Sequence, residues 1–346
     1  MPRTCVALVS GGLDSSLATA LMVRQGVDVV AFHAIHVFHP KTDHPAGQET
    51  LRQRMRALGV RSFVTHQVTD ELMQLVKEPR YGHGKGLNPC IDCRMLALTH
   101  AKAVLDEVGA DFVATGEVVG QRPMSQRRDA LRSVDKHARA IGLDGLLVRP
   151  LSAKLLAPTL PEAEGWIDRD ALCGFAGRGR TPQLAMAEAF GITGFDTPAG
   201  GCLLTDKSFA RRLQDLLDHT PDCRADDIRL LRVGRHYRLA DGTKLVASRR
   251  DVENEELRQL ARAGDTCFLT RDRPGALVLV RGTCSPEAAR LAAGLAVHHS
   301  KHRREGRAAV LRWPAGEQPG HKHEAGVHPS LDPQQLAGVR VDADRP

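Results

Sequence analysis

The sequence of 346 residues lacks the features that would direct it into or across a membrane. No apolar run approaches the roughly 20 residues that a membrane-spanning helix requires. The first apolar stretch leads into a glycine-rich loop and has no signal-peptide cleavage pattern. We therefore expect a cytoplasmic protein without a membrane partner. The length favours two domains and a tail.

A disulfide framework and a strong charge bias are also missing. Only one pair among the eight cysteines is closely spaced, which in a cytosolic chain favours metal binding or catalysis by that pair. Lys and Arg outnumber Asp and Glu by only 48 to 41. This excess favours a polyanionic partner without identifying one.

The first 120 residues alternate β-rich apolar runs, at residues 6–9, 27–35, 62–68 and 111–115, with helical patterns. This rhythm predicts a parallel sheet with crossover helices. A helix with a 3.6-residue apolar period is predicted from Cys90 to Gly109, which puts Cys90 and Cys93 on its first turn.

The composition beyond the predicted sheet suggests further segments. We expect a nucleotide-binding domain over residues 1–165 and a connecting segment over 166–206 that completes the active site. A small α+β domain is expected over 207–300, with a hairpin around Asp241-Gly242. The remainder, 301–346, is rich in Gly, Pro, His and charge, and we expect it to be disordered.

The strongest local signal is the loop Ser10-Gly11-Gly12-Leu13-Asp14-Ser15-Ser16, between the first strand and a helix. Glycines that allow close backbone approach, hydroxyl groups and a helix N-terminus together suit a phosphate. The loop has no Walker A lysine, which excludes the γ-phosphate clamp of a kinase or motor.

This loop resembles the S-G-G-x-D-S-[ST] loop of PP-loop ATP pyrophosphatases, which cleave ATP between the α- and β-phosphates. The resemblance implies an adenine nucleotide α-hydrolase-like fold. It also implies that Asp14 helps to position Mg²⁺ and the phosphates as a catalytic residue. The ATP-binding residues that we predict are Ser10, Gly11, Gly12, Asp14, Ser15, Ser16, His33 and Gly116, with His33 near the base.

Three cysteines narrow the choice within this class. Cys90 and Cys93 form a C-x-x-C, and Cys202 lies in a loop rich in Gly and Pro at residues 197–202. Together they resemble the cysteine set of PP-loop tRNA thiolases, which implies either three ligands to a [4Fe–4S] cluster or a persulfide carried by Cys90 or Cys202. Zinc would need a fourth ligand that the spacing does not supply. Two buried structural cysteines are the plain alternative for the pair.

The segment 114–126, Ala-Thr-Gly-Glu-Val-Val-Gly-Gln-Arg-Pro-Met-Ser-Gln, follows the fourth predicted strand and should face the nucleotide. It resembles the T-G-E-x-x-G-Q-x-x-S-Q segment of 4-thiouridine synthases, in which Gly116 matches the glycine that approaches ATP. The 2-thiouridine synthases have T-G-H here, whereas Asn88-Pro89-Cys90 is similar to their sequence. The uridine position therefore stays open between 4-thiouridine and 2-thiouridine.

Two clusters of basic residues predict where RNA phosphates bind. The segment around Gly234–Arg238 resembles an RNA-binding module of ribosome-quality-control factors. Solvated surface charge is the alternative interpretation of both clusters. The residues that we assign to RNA binding are Arg122, Arg127 and Arg128 in the first cluster, and Arg235 and Arg238 in the second.

The resemblance implies an ATP-dependent tRNA sulfurtransferase that adenylates a uridine carbonyl oxygen and replaces it with sulfur. Its partners would be tRNA and a sulfur donor or sulfur-relay protein, and a homodimer is an open option. One alternative is a PP-loop ligase or amidotransferase that acts on a small molecule and has structural or zinc-binding cysteines. Another is an ATP-responsive RNA-binding protein without catalysis.

Overall fold

The computed structural model describes residues 2–195, 201–317, 323 and 325–341. Residues 197–200 of the predicted cysteine-bearing loop lie outside this range. The chain divides into two compact units, Met1–Thr205 and Asp206–Pro346. None of the helices in the described ranges has the length and apolar character needed to cross a bilayer.

The first unit is an α/β domain around a parallel sheet. Its strands are β1 Thr4–Leu8, β2 Asp28–Ile35, β3 Ser62–Gln67, β4 Phe112–Thr115 and β5 Leu147–Val148. Its helices are α1 Leu13–Arg24, α2 Pro45–Ala57, α3 Thr69–Lys77, α4 Cys90–Val108, α5 Arg128–Ala140, α6 Leu160–Ala163 and α7 Thr181–Ala189.

The strand order β3-β2-β1-β4-β5 places β1 at the centre, paired with β2 and β4. Because side chains alternate across a strand, Cys5 and Ala7 of β1 face one apolar cluster while Val6 and Leu8 face another. Both faces of the sheet are therefore covered, as is usual for a parallel sheet. The predicted α/β fold class is confirmed.

Helix α4 begins and ends where the sequence predicts. Cys90 is its first residue, and Gly109 ends it in the left-handed conformation, with φ 65°. The carboxylate of Asp92 accepts hydrogen bonds from the backbone N–H groups of Arg80 and Tyr81, at 3.3 and 3.2 Å. The preceding loop is thereby attached to the first turn of α4, and Cys90 and Cys93 stand at a fixed end of the helix.

The second unit is built on an antiparallel sheet. Its strands are β6 Arg235–Arg238, β7 Lys244–Ala247, β8 Thr266–Thr270, β9 Val278–Arg281, β10 Arg307–Pro314 and β11 Ala325–Pro329. Its helices are α8 Lys207–His219, α9 Ala225–Leu230, α10 Asp251–Leu260, α11 Pro286–His298 and α12 Pro333–Val339. The predicted hairpin is present, because β6 pairs antiparallel with β7.

The expected disorder of residues 301–346 is wrong for a large part of that segment. Strand β10 pairs antiparallel with β8 on one side and with β11 on the other. Ala308 and Val310 are buried in the apolar cluster that contains α11, while Trp313 is buried in a second cluster. The apolar run 308–311, followed by Trp313, is a strand signal that the Gly-, Pro- and charge-rich composition concealed. Residues 318–322, 324 and 342–346 lie outside the described ranges.

Candidate functional site

A cavity of about 250 Å³ opens at the carboxyl ends of the parallel strands. It lies beside the loop that follows β1 and the Gly116 turn that follows β4. The strand order reverses between β1 and β4, and open α/β sheets bind ligands at that point. The floor includes the apolar side chains of Leu8, Phe32 and Leu72.

The loop from Ser10 to Ser16 has the geometry of an anion site. Gly11 takes φ 79°, a left-handed conformation suited to glycine, and Gly12 caps helix α1. The Ser15 hydroxyl donates to the Gly12 carbonyl at 3.0 Å and accepts from the Ser10 N–H at 3.2 Å. The first turn of α1 therefore presents its N–H groups at the loop.

Most of the residues that we predict to bind ATP line the cavity, and two do not. Six of the eight line the cavity: Ser10, Gly12, Asp14, Ser15, His33 and Gly116. Gly11 and Ser16 are not among the lining residues. Ser16 is buried, and its hydroxyl donates to the Gly12 carbonyl at 3.1 Å, which supports the loop from behind.

Gly116 packs directly against the backbone of this loop. A Cβ atom built on Gly116 would lie 2.6 Å from the carbonyl carbon of Asp14 and 2.6 Å from the amide nitrogen of Ser15. Both are backbone atoms, so they cannot move aside as a flexible side chain would. Residue 116 must therefore be glycine for the two turns to meet.

The Asp14 carboxylate is held by residues distant in sequence. Its Oδ2 accepts a short hydrogen bond from the Gln121 amide and lies 3.3 Å from Nη2 of Arg180. The Gln121 amide oxygen accepts in turn from Nε2 of Gln183 on α7, at 2.9 Å. The other oxygen, Oδ1, is buried and has no hydrogen-bond partner among the described residues. That atom is free to accept a ligand or to contact a cation.

His33 stands at the end of β2 and is 4% exposed. Its Nδ1 lies 2.8 Å from the Val9 carbonyl oxygen, which can only accept, so Nδ1 carries the proton. Burial lowers the pKa of His33 to about 4. The ring is therefore neutral at physiological pH. His36 and His39 also line the cavity.

The three cysteines singled out in the sequence all line the same cavity. Asn88 controls the position of one of them: its Nδ2 donates to the sulfur of Cys90 at 3.1 Å. The Oδ1 atom of Asn88 accepts from the Gly86 N–H at 3.0 Å and fixes the side chain in the loop. The loop from Ser10 to Ser16, called the phosphate-type loop below, and the three thiols therefore line the same cavity.

The donor chemistry of three thiols suits an iron–sulfur cluster. Across the described parts of the chain, no group of three or more His, Cys, Asp or Glu side chains is placed to hold a metal ion. Burial raises the pKa of Cys93 to about 11 and that of Cys202 to about 12.

A buried ion-pair network lies behind the cysteines. Glu117 is fully buried, and its Oε2 accepts from Nε of Arg149 at 2.8 Å. Its Oε1 lies 3.2 Å from Nε of Arg94, which follows Cys93. Burial alone would raise the pKa of Glu117, but Arg149 and Arg94 hold it below its usual value. Arg149 also contacts Asp135 at 2.7 Å.

The predicted RNA contacts fall into different environments. Arg122 lines the cavity. Arg127 and Arg128 are exposed, and Arg127 forms an ion pair with Asp129. Arg235 donates to the Ser248 carbonyl at 3.1 Å. Arg238 is 13% exposed and bound to Asp215 at 2.8 Å, so its guanidinium already has an internal partner.

Several residues of the site were missed by sequence reasoning. Asn88 and Arg94 flank the C-x-x-C, and Gln121 lies in the segment 114–126. Their position next to predicted site residues was the signal that could have identified them. Arg180 and Gln183 had no signal, since only the fold brings α7 to Asp14.

Two family models match parts of this chain. Residues 2–152 match the family model described as thiamine biosynthesis protein (ThiI). Residues 234–325 match the model described as NFACT protein RNA binding domain.

The chain is also similar to curated proteins. It is 33% identical over 129 residues to the tRNA-specific 2-thiouridylase MnmA of Methylobacterium nodulans, covering 34% of each chain. It is 28% identical over 128 residues to the probable tRNA sulfurtransferase of Thermococcus kodakarensis, covering 34% of this chain and 30% of that one. The chain thus spans about a third of the length of the curated relatives it matches.

Among solved structures, a 4-thiouridine synthetase–RNA complex with bound ATP is 20% identical, with a TM-score of 0.40. The alignment covers 66% of this chain and 52% of that one. Residues 2–152, with their complete S-G-G-x-D-S-S loop and parallel sheet, are therefore similar to the ThiI family, in one chain with a region that matches an RNA-binding domain.

Proposed function

We propose that this protein is an ATP-dependent tRNA sulfurtransferase that converts a uridine to 4-thiouridine or 2-thiouridine, with release of AMP and pyrophosphate. The observation that carries the proposal is the shared cavity, which is lined both by the phosphate-type loop and by Cys90, Cys93 and Cys202. A ligase for small molecules has no need for three thiols beside its nucleotide.

The first half-reaction activates the base. ATP binds at the loop that includes Ser10 and Ser15, and the uridine carbonyl oxygen attacks the α-phosphorus. The bond between that phosphorus and the bridging oxygen breaks, and pyrophosphate leaves toward the N–H groups of α1. Asp14 would hold Mg²⁺ through its unpartnered Oδ1, and the bound ion would neutralise charge on the phosphates.

The second half-reaction moves sulfur. The terminal sulfur of a persulfide on Cys90 or Cys202 attacks the activated carbon, and AMP leaves with its oxygen. The other cysteine attacks the sulfur that remains on the carrier cysteine, forms a disulfide with it, and releases the thiolated base. A sulfur-relay protein must supply the persulfide sulfur, and a cellular dithiol must reduce the disulfide. If a [4Fe–4S] cluster is bound, Cys90, Cys93 and Cys202 would be its three protein ligands, and the cluster would supply sulfide as the sulfur source in place of the persulfide.

The partners follow from the same proposal. Transfer RNA would bind the region 234–325, which matches an RNA-binding domain. Arg122, which lines the cavity, would contact RNA close to the reacting base. A homodimer remains part of the proposal without a contact that argues for it.

The test is single-turnover reaction of the full chain with ATP·Mg²⁺, unmodified tRNA and a persulfide donor. Pyrophosphate release and thionucleoside content are measured together. We expect tRNA-dependent pyrophosphate release and one thiolated uridine, with thiolation lost but release retained in Cys90→Ser and Cys202→Ser. Pyrophosphate release that needs a small acid or base and no RNA would favour the ligase. Binding of ATP and RNA without any release would favour the non-catalytic alternative.

A further inference from the structure

Arg94 lines the cavity beside the C-x-x-C. Its Nε atom lies 3.2 Å from Glu117, and its side chain is 28% exposed. No partner of its two terminal nitrogens is found among the described residues. The Nε contact is an ion pair without a hydrogen bond, since Oε1 of Glu117 has no hydrogen-bond partner among the described residues. It leaves the outer pair of N–H groups of the guanidinium for a second ligand, and that pair matches a phosphate.

The carboxylate that pairs with Arg94 is held in place by several other contacts. Glu117 is fully buried and is held by Arg149 and by the Thr115 hydroxyl, at 2.8 and 3.2 Å. Arg149 is itself 5% exposed and contacts Asp135. A surface arginine loses side-chain entropy when it binds a ligand, whereas Arg94 is already restrained. The network therefore preorganises one cation beside the cysteines.

The charged side chains that line the cavity favour an anionic ligand near Arg94. Three arginines line the cavity, namely Arg94, Arg122 and Arg180, whereas Asp14 is the only carboxylate among the described lining residues. Arg180 is already paired with Asp14 at the phosphate-type loop. Arg94 has no contact of this kind with Asp14 among the described residues, and it adjoins Cys93 in the chain.

We propose that Arg94 binds the α-phosphate of the nucleotide, the phosphate that remains on adenosine when pyrophosphate leaves. This inference rests on the proposed function. Sulfur must attack the carbon whose oxygen is bonded to the α-phosphorus, so the thiols and that phosphate must lie within a few ångströms of each other. Arg94 adjoins the C-x-x-C that supplies two of those thiols. Glu117 acts as its positioning residue.

The experiment compares the affinity of the full chain for AMP, adenosine and pyrophosphate by calorimetry. In the wild type we expect AMP to bind more tightly than adenosine. Arg94→Gln should remove most of that preference, by about tenfold or more, and leave pyrophosphate affinity within about twofold. Arg94→Lys should keep part of the preference for AMP over adenosine, because the positive charge remains while the paired N–H donors of the guanidinium are lost. Glu117→Gln should weaken AMP binding in the same direction.

Arg61→Gln is the matched control, since Arg61 is an exposed arginine paired with Asp28 away from the cavity. It should leave the affinity for all three ligands unchanged. An unaltered preference for AMP in a folded Arg94→Gln protein would overturn the inference, and so would an equal loss of pyrophosphate affinity. A wild-type chain that binds neither ATP nor AMP would instead refute the proposed function.

Discussion

The side-chain amide of Asn88 donates a hydrogen bond to the sulfur of Cys90 across 3.1 Å. Asn88 is buried, and its oxygen is engaged by the N–H of Gly86 at 3.0 Å, so the amide has one orientation. A cysteine at the first position of a helix is thus fixed in rotation by a residue two positions earlier.

Asn88→Asp should separate the two functions of this side chain. The carboxylate keeps an acceptor for Gly86 but replaces the donor to Cys90 with an oxygen that repels the sulfur. We expect thiolation to slow by about fivefold in single turnover, since a lost hydrogen bond is worth about 1 kcal/mol. Pyrophosphate release should be unchanged. An equal decline in both rates would argue that Asn88 serves the whole cavity.

Gly116→Ala should abolish nucleotide binding. The new Cβ would lie 2.6 Å from the backbone of Asp14 and Ser15, and relieving that clash must displace the phosphate-type loop. Gly179→Ala is the matched control, because nothing lies within 4 Å of its Cβ and its φ is not in the left-handed region. Calorimetric titration with ATP checks both variants. Normal affinity in Gly116→Ala would show that this turn moves freely.

Glu117→Ala should destabilise the first unit by about 3–5 kcal/mol, because Arg149 would be left buried without its main partner. Arg149 is more buried than Arg94, the other arginine that contacts Glu117, so most of the lost stability comes from the unpaired charge of Arg149. Denaturant unfolding followed by circular dichroism measures the change. A loss below about 1 kcal/mol would mean that water or Asp135 compensates for the missing carboxylate.

The same ion pair predicts the effect of acid. The pKa of Glu117 is held below its usual value in the folded chain, so its contribution is complete above the unfolded pKa. That contribution should be lost as the pH falls through the lowered pKa. In Glu117→Gln this part of the acid sensitivity should be absent.

His33 gives acid sensitivity in a higher pH range. Its folded pKa is about 4, against 6.5 for an exposed histidine, so the unfolded chain binds the proton more tightly. Stability should therefore fall as the pH is lowered from 6.5 toward 4, by about 2 kcal/mol at pH 5. Unfolding free energies of wild type and His33→Asn, measured between pH 7 and 5, should converge toward acid. Parallel curves would contradict the assignment.

The arginines that we predict to bind RNA differ in their contacts within the protein. Arg128→Gln should reduce the slope of log affinity against log salt by about 0.7–0.9, as for one lost phosphate contact. Arg238→Gln should instead destabilise the second unit, since it frees Asp215 and Lys244 from a buried cluster. Filter binding of tRNA over a salt series, with thermal unfolding of each variant, tests both. An unchanged salt slope for Arg128→Gln would remove that residue from the interface.

Local patterns were sufficient to predict a good part of the fold. The alternation of strand and helix, the start of α4 at Cys90, its end at Gly109 and the β6–β7 hairpin all depend on neighbouring residues, so the sequence carries them directly. The prediction of disorder over 301–346 failed because the apolar run 308–311 was outweighed by the Gly-, Pro- and charge-rich composition around it. A strand in that position also needs β8 to pair with, which local pattern does not reveal.

The sequence by itself determined the chemistry available to this protein: a loop for phosphate and three thiols in a PP-loop chain. Only the tertiary structure decided how they are used. It pairs Arg180 with Asp14, supports that carboxylate through Gln121 and anchors Arg94 on buried Glu117. The first two contacts join residues more than 100 positions apart in the chain, and Arg94 and Glu117 are 23 positions apart. The strength of all three contacts depends on burial. Burial is a property of the packed fold, so no local pattern can record it.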